Sequence, residues 1–375
     1  MSKIEQRRAK TAKANIDNKA VLADGTAPKS EFPYKKILIA VLAVVAVIAC
    51  ALLILNAVID NYSNKFRTEG AKSVNAAVVD VNKITDNDVL YDKDLAKVEL
   101  AKYGFLVSAV NDAYANFTKQ SVNVQANENI MNFVITVSGD VYGEDSNNKL
   151  ATVMLVSIND GKITFVRVNT STFVAIPGLA AGPLYDSYRL GGAALVSKTI
   201  QENYGVAING YIDLPVETFM KVALIFDENG IELPVEGTDK TTSYTDVNAM
   251  FEYIKGCKDK DAMVQAVVKS VADSFSGKNL LDLRKVADTL SSEDSKMVAY
   301  ISREDFAALL KKGTSILSGE NFKSSEDVIA FGYGDDAKSV DYYGAAGDKY
   351  YTQTTLVNYG ASVTQLHKDL GYIAE

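Results

Sequence analysis

Residues 133–177 read FVITVSGDVYGEDSNNKLATVMLVSINDGKITFVRVNTSTFVAIP, and their patterning decides the fold. Residues 131–137 alternate and then run apolar, 152–158 are almost wholly apolar, and 163–169 alternate again. Alternation puts every second side chain of a strand on one face. An unbroken apolar run such as Val153-Met154-Leu155-Val156 suits a strand covered on both faces. Asn159-Asp160-Gly161 separates the last two segments, and Asn and Gly tolerate the positive φ of a tight hairpin turn. Three neighbouring strands of one mixed sheet are predicted, with 152–158 inside it.

Helix signals follow on the C-terminal side. Residues 192–204 end at Gly205, placed for a left-handed cap. Pro215 is tolerated in a first turn and opens a second helix that buries Phe219, Val222 and Ala223 and stops before Gly230. A short strand is expected over 231–235. Thr245-Asp246 leads into a helix over 247–255. Asp259 or Asp261 opens a longer one, with Val264, Val267, Val268, Val271 and Phe275 on one face. Ser302 and Asp305 have the spacing of a capping box, and that helix is expected to end at Gly313. The Gly-, Asp- and Tyr-rich stretch 322–359, with Tyr342-Tyr343 and Tyr350-Tyr351, reads as a loop and hairpin. A last helix over 362–370 closes at Gly371. Alternating strands and helices give the class: α/β, a mixed central sheet sandwiched by helices.

The N-terminal side reads as a membrane anchor. Residues 37–59 carry no charge, and about 20 apolar residues span a bilayer core as a helix. Residues 1–36 net +5 and the remainder nets −13. Lys35 and Lys36 flank the apolar run, so the positive-inside rule assigns 1–34 to a cytoplasmic tail and the acidic body to the outside. Residues 60–127 read as a membrane-proximal helical region, with helices over 66–81 and 94–117. Residues 128–375 form the extracytoplasmic domain. An acidic body lacks the basic face that nucleic acid requires.

Residue counts exclude several chemistries. Cys50 lies in the apolar run and Cys257 stands alone in the body, so the body can form no disulfide of its own and no cysteine-based zinc site. His367 is the single histidine, which rules out a multi-histidine metal centre. It is read as a surface residue of the last helix. No Gly-rich phosphate loop of either common spacing occurs.

The central stretch resembles the LytR-CpsA-Psr family, whose enzymes attach lipid-linked glycopolymers to bacterial cell walls. Gly139-Asp140 falls on the family's Gly-x-Asp position, Ala151-Thr152 on its Asp-Thr, and Asn169-Thr170-Ser171-Thr172 on its Pro-Arg-Asp-Thr. The likeness continues through Tyr188-Arg189-Leu190-Gly191-Gly192, Ile200, Gly205-Val206 and Tyr211. It implies an apolar pocket for a polyprenyl tail, arginines on the pyrophosphate and a Mg²⁺ ion held by Asp. Transferred residue by residue, it assigns Asp140 to metal, Thr170 and Ser171 to substrate, and Lys255 and Gln265 to catalysis. Two cations join them by position: Lys149, two residues before Ala151, on the substrate, and Arg189, just before Gly191-Gly192 and near the expected pocket, in catalysis.

The framework of the family pattern is present and most of its charge is not. Ala151 replaces a carboxylate; Thr170 and Ser171 replace Arg and Asp; Lys255 stands for one Arg; Val264-Gln265 keeps Gln and loses Arg. Each lost arginine removes charge-assisted hydrogen bonds worth roughly 1.5–3 kcal/mol. Mg²⁺ binding is therefore expected to be weak. The expected function is binding of a polyprenyl-linked glycan or an envelope protein, with weak or no catalysis. The rivals are a transferase with a rearranged site and a scaffold ectodomain.

Overall fold

The computed structural model describes residues 63–83 and, with gaps, 127–373; among the gaps are 142–147, 268–284 and 344–350. The expected span 37–59 and the expected helix 94–117 lie outside the described residues. Among the described residues, no helix is long and apolar enough to cross a membrane.

The three segments of the opening stretch are strands β1 (Ile130–Ser138), β2 (Leu150–Asn159) and β3 (Lys162–Val168). β2 pairs antiparallel with both neighbours, from Ile130↔Asn159 on one side and Asn159↔Lys162 on the other. Every residue of β1 and nine of the ten in β2 are buried, so the apolar run does mark a strand covered on both faces. Removing each large aliphatic side chain from water contributes about 1.5–3 kcal/mol.

A short pair follows, β4 (Phe173–Val174) with β5 (Gly182–Pro183), and then helix α1 (Leu184–Tyr204). Strand β6 (Gly210–Pro215) returns to lie parallel to β1, and α2 (Val216–Phe226) leaves directly from its end. A hairpin of β7 (Ile231–Pro234) and β8 (Thr241–Tyr244) leads to α3 (Val247–Gly256), capped by the Asp246 carboxylate, which accepts from Ala249 N at 2.8 Å. Strand β9 (Val298–Ile301) pairs with β6, and α4 (Arg303–Ser318) follows it. Strands β10 (Lys323–Ser324) and β11 (Ile329–Phe331) both pair with β3. Strands β12 (Ala337–Tyr343) and β13 (Tyr351–Val357) form a separate hairpin, and α5 (Tyr359–Leu370) follows. The main sheet runs β10-β3-β2-β1-β6-β9, with β11 also on β3.

Each face of the sheet has its own core. Met131, Phe133, Ile135 and Val137 of β1 pack with α2, α3 and α4. Val134 belongs to the opposite core with α1 and α5. This is the expected mixed sheet between helices.

Several boundaries differ from expectation. Residues 66–80 are not helical but run as a strap of turns and irregular backbone, held by main-chain bonds to other elements. Thr68 N donates to Ala299 O and Asp80 N to Leu190 O. The alanine and valine content that suggested a helix serves burial instead: Val74 and Ala77 enter the α1 core. Helix α1 begins at Leu184, eight residues before the expected start, because Gly191-Gly192 is a kink within it. Gly192 has φ 65° and ψ −164°. Gly205, at φ 66° and ψ 30°, closes the helix as expected. Gly313 does not end α4, since a glycine inside a helix costs only about 1 kcal/mol and the flanking turns continue.

His367 is not a surface residue. It is buried, with Nε2 2.6 Å from the Tyr204 carbonyl and its ring 5.5 Å from that of Tyr372. Helix α5 turns that side inward against α1, which the single-helix pattern did not reveal.

Candidate functional site

Strands β1, β3 and β6 run in one direction, so their C-terminal ends share one edge of the sheet. Open α/β sheets present ligand-binding groups at this edge, where chain direction carries loops and helix starts outward. Four of the sequence-assigned residues, Asp140, Lys149, Thr170 and Ser171, follow or precede strand ends there.

The end of β1 is set by a register shift. Val137 faces Thr152 but Ser138 faces Leu150, leaving Ala151 as the extra residue of a bulge. Gly139 N then donates to Lys149 O at 2.9 Å. A Cβ on Gly139 would lie 2.7 Å from Val216 Cγ1, so only glycine permits this approach. The turn brings the Asp140 carboxylate onto the Lys149 ammonium as an ion pair, both half-exposed. Residue 151, where the family pattern has a carboxylate, is a methyl group buried in the α2-side core. This donor set does not fit Mg²⁺, which wants one or two carboxylates open to it: Asp140 already faces a cation, and position 151 offers no oxygen.

Beyond β3 the loop 169–172 works through its backbone. Thr172 O accepts from Leu184 N at 2.8 Å and Thr170 O from Tyr185 N at 2.9 Å, which satisfies amides at the start of α1. Ser171 O accepts from Thr355 N, and Ser171 N donates to Asn169 Oδ1. Positions 170 and 171 thus tie α1 and β13 to the sheet.

Arg189 lies in the second turn of α1. Its Nε donates to Asp186 Oδ1 at 3.2 Å and its Nη1 to Lys83 O at 3.1 Å, so it clamps the strap to the helix. Lys255 ends α3 on the other core's side, 3.4 Å from Glu252 Oε1 and 5.3 Å above the Phe251 ring. Arg189 and Lys255 therefore belong to helices on opposite faces of the sheet. Gln265 lies outside the described residues.

A polar cluster missed in the sequence sits just beneath this edge. Asp213 of β6 is 8% exposed; it accepts from Thr136 Oγ1 at 2.6 Å and from Tyr188 OH at 2.7 Å. Burial raises the Asp213 pKa, against the hydrogen bonds from Thr136, Tyr188 and Ser138. Burial, then the Asp213 charge, raise that of the Tyr188 phenol. The signal was available: Tyr211-Ile212-Asp213-Leu214 places a carboxylate on a buried strand, where unpaired charge is rarely found.

The LytR_cpsA_psr family model matches residues 104–320. No curated protein matches the chain in sequence. Among solved structures, TagV of B. subtilis is similar at 14% identity over 66% of this chain and 100% of that one, with a TM-score of 0.46. A transcriptional regulator from Enterococcus faecalis is similar at 18% identity over 66% and 91%, TM-score 0.43. A structure of TagT bound to LI-WTA is similar at 16% identity over 66% and 94%, TM-score 0.43.

Proposed function

Because the chain belongs to the LytR-CpsA-Psr family, we propose that it is an envelope protein anchored by residues 37–59, with its N-terminus cytoplasmic and its body outside. There it binds a polyprenyl-linked wall glycopolymer, with weak or no phosphoryl transfer. Family membership supports the glycopolymer. The observation that carries the loss of transfer is the state of the strand-end edge. Asp140 is held by Lys149, Ala151 is a buried methyl group, and Arg189 is engaged by Asp186 and the Lys83 carbonyl. Phosphoryl transfer depends on positioned cations that neutralise the pyrophosphate, and this edge supplies few. Tail binding needs apolar area rather than charge, so it survives those replacements.

Mass spectrometry of lipid retained by the detergent-purified full-length protein tests the binding. Enrichment of a polyprenyl phosphate species over bulk membrane lipid is expected. Retention of bulk phospholipid alone would refute it.

A further inference from the structure

One carboxylate is buried directly beneath the strand-end edge. Asp213 stands on the inner strand β6, facing Thr136 of β1 and Val298 of β9. Tyr211, two residues earlier and so on the same face, belongs to the core with α1. Three hydroxyls close on the carboxylate. Oδ1 accepts from Thr136 Oγ1 at 2.6 Å, Oδ2 from Tyr188 OH at 2.7 Å, and Ser138 adds a third bond. Ser138 ends β1 and Gly139-Asp140 follow it, so the cluster reaches the edge itself. Asp140 lies four strand steps beyond Thr136, roughly 13 Å along the strand.

Among the described residues, no cation acts on Asp213. Strand β1 turns Thr136 and Ser138 toward it, and α1 turns Tyr188. Its own strand adds Tyr211, whose phenol donates to Lys72 O of the strap at 3.0 Å, and β9 adds Tyr300 beside Tyr211. The nearby cations are engaged elsewhere: Arg189 by Asp186 and Lys83 O, Lys149 by Asp140. Burial, opposed only by the three hydroxyls, raises the Asp213 pKa. Its charge is felt by neighbours. Burial first, then the Asp213 carboxylate, push the Tyr211 phenol up to about 12.

We propose that Asp213 is the proton-linked residue of the strand-end edge: a phosphorylated ligand bound there takes up a proton at this carboxylate, and its affinity falls as pH rises. This rests on the ligand reading above. A nearby like charge disfavours the ionised form of each group. A phosphate charge roughly 10 Å from Asp213, at an effective dielectric of about 20, corresponds to roughly tenfold in affinity, and salt lowers this toward about threefold. Below the folded Asp213 pKa the carboxyl is neutral and opposes no ligand. Above it the carboxylate repels the phosphate, and affinity drops to a lower plateau once Asp213 is ionised in the bound state as well.

The test uses the full-length protein in maltoside micelles, with farnesyl phosphate as the charged probe and farnesol as its uncharged counterpart. Calorimetric titrations from about pH 4 upward compare wild type with Asp213→Asn, so that ionisation of the probe itself cancels in the ratio. The wild-type Kd for farnesyl phosphate should match that of the variant at the acid end and exceed it roughly three- to tenfold at high pH. Farnesol should show no divergence. Thr136→Val keeps the carboxylate but removes the hydroxyl that most lowers its pKa, so it should move the wild-type transition to higher pH. A flat ratio for farnesyl phosphate overturns the proposal. So does the same divergence for farnesol, which marks a general loosening of the fold, and so does an unmoved transition in Thr136→Val, which assigns the proton to another group. If the folded protein binds neither probe, the ligand reading falls and the linkage with it; binding of both with a flat ratio removes the linkage alone.

Discussion

Gly192→Ala isolates a backbone cost. At φ 65° and ψ −164° the residue occupies a region essentially restricted to glycine, and nothing lies within 4 Å of where a Cβ would stand. The penalty is therefore conformational, about 1–3 kcal/mol. The neighbouring Gly191→Ala fails for a different reason. Its Cβ would meet Leu195 Cβ at 2.6 Å, Leu195 Cδ2 at 2.7 Å and the Val78 carbonyl at 3.1 Å. Overpacking of that kind costs about 1–3 kcal/mol, offset by about 1 kcal/mol of helix propensity. Gly192→Ala should also loosen Asp80 N from Leu190 O and Tyr188 from Asp213, because the kink aims the first half of α1. A loss of about 2 kcal/mol lowers the urea midpoint by about 1 M for an m-value of about 2 kcal/mol/M. Equilibrium urea unfolding followed by tyrosine fluorescence reads that shift. A midpoint unchanged or raised in Gly192→Ala would show that the kink is not a strained, glycine-dependent feature.

Asp213→Asn should remove a loss of stability that the wild type undergoes as pH rises above about 4. The folded pKa is raised, so the Asp213 contribution is fully present below the unfolded value, about 3.9, and is lost as pH rises through the folded value. Thermal melts across that window should show wild type losing stability relative to the variant; parallel curves would contradict the burial argument. Asp140→Asn should change stability by less than about 1 kcal/mol, since half-exposed ion pairs contribute little, and a melting shift well beyond that would refute it. Ser302→Ala removes the hydroxyl that accepts from Asp305 N at 3.0 Å. It should cost about 0.5–2 kcal/mol in urea unfolding.

The sheet was legible where residue type and burial agree. In β2 a continuous apolar run is also a strand buried on both faces, and Asn159↔Lys162 shows the two-residue connection that Asn159-Asp160-Gly161 suggested. Caps were legible too, at Ser302 and Gly205, because each rests on local geometry. The strap 66–80 was not, since its alanines and valines suit a helix and its extended course is imposed by bonds to Ala299 and Leu190, more than a hundred residues away. Strands β9, β10 and β11 are two to four residues long and take their identity from partners. At the site, the sequence located Asp140 and Lys149 at the strand ends. It did not show that they face each other, because that depends on the bulge at Ala151 and the approach of Gly139 to Val216.

The central claim is that this edge binds but transfers poorly. It is tested most directly by a transfer assay with a lipid-linked glycan and a peptidoglycan acceptor. Wild type would be compared with Ala151→Asp/Thr170→Arg/Ser171→Asp and with Arg189→Ala. Each missing charge-assisted bond is worth at least about tenfold in rate, so wild-type turnover should lie near background and be insensitive to Mg²⁺ and to Arg189→Ala. Robust, Mg²⁺-dependent turnover by wild type, abolished by Arg189→Ala, would contradict the account and establish a rearranged catalytic site.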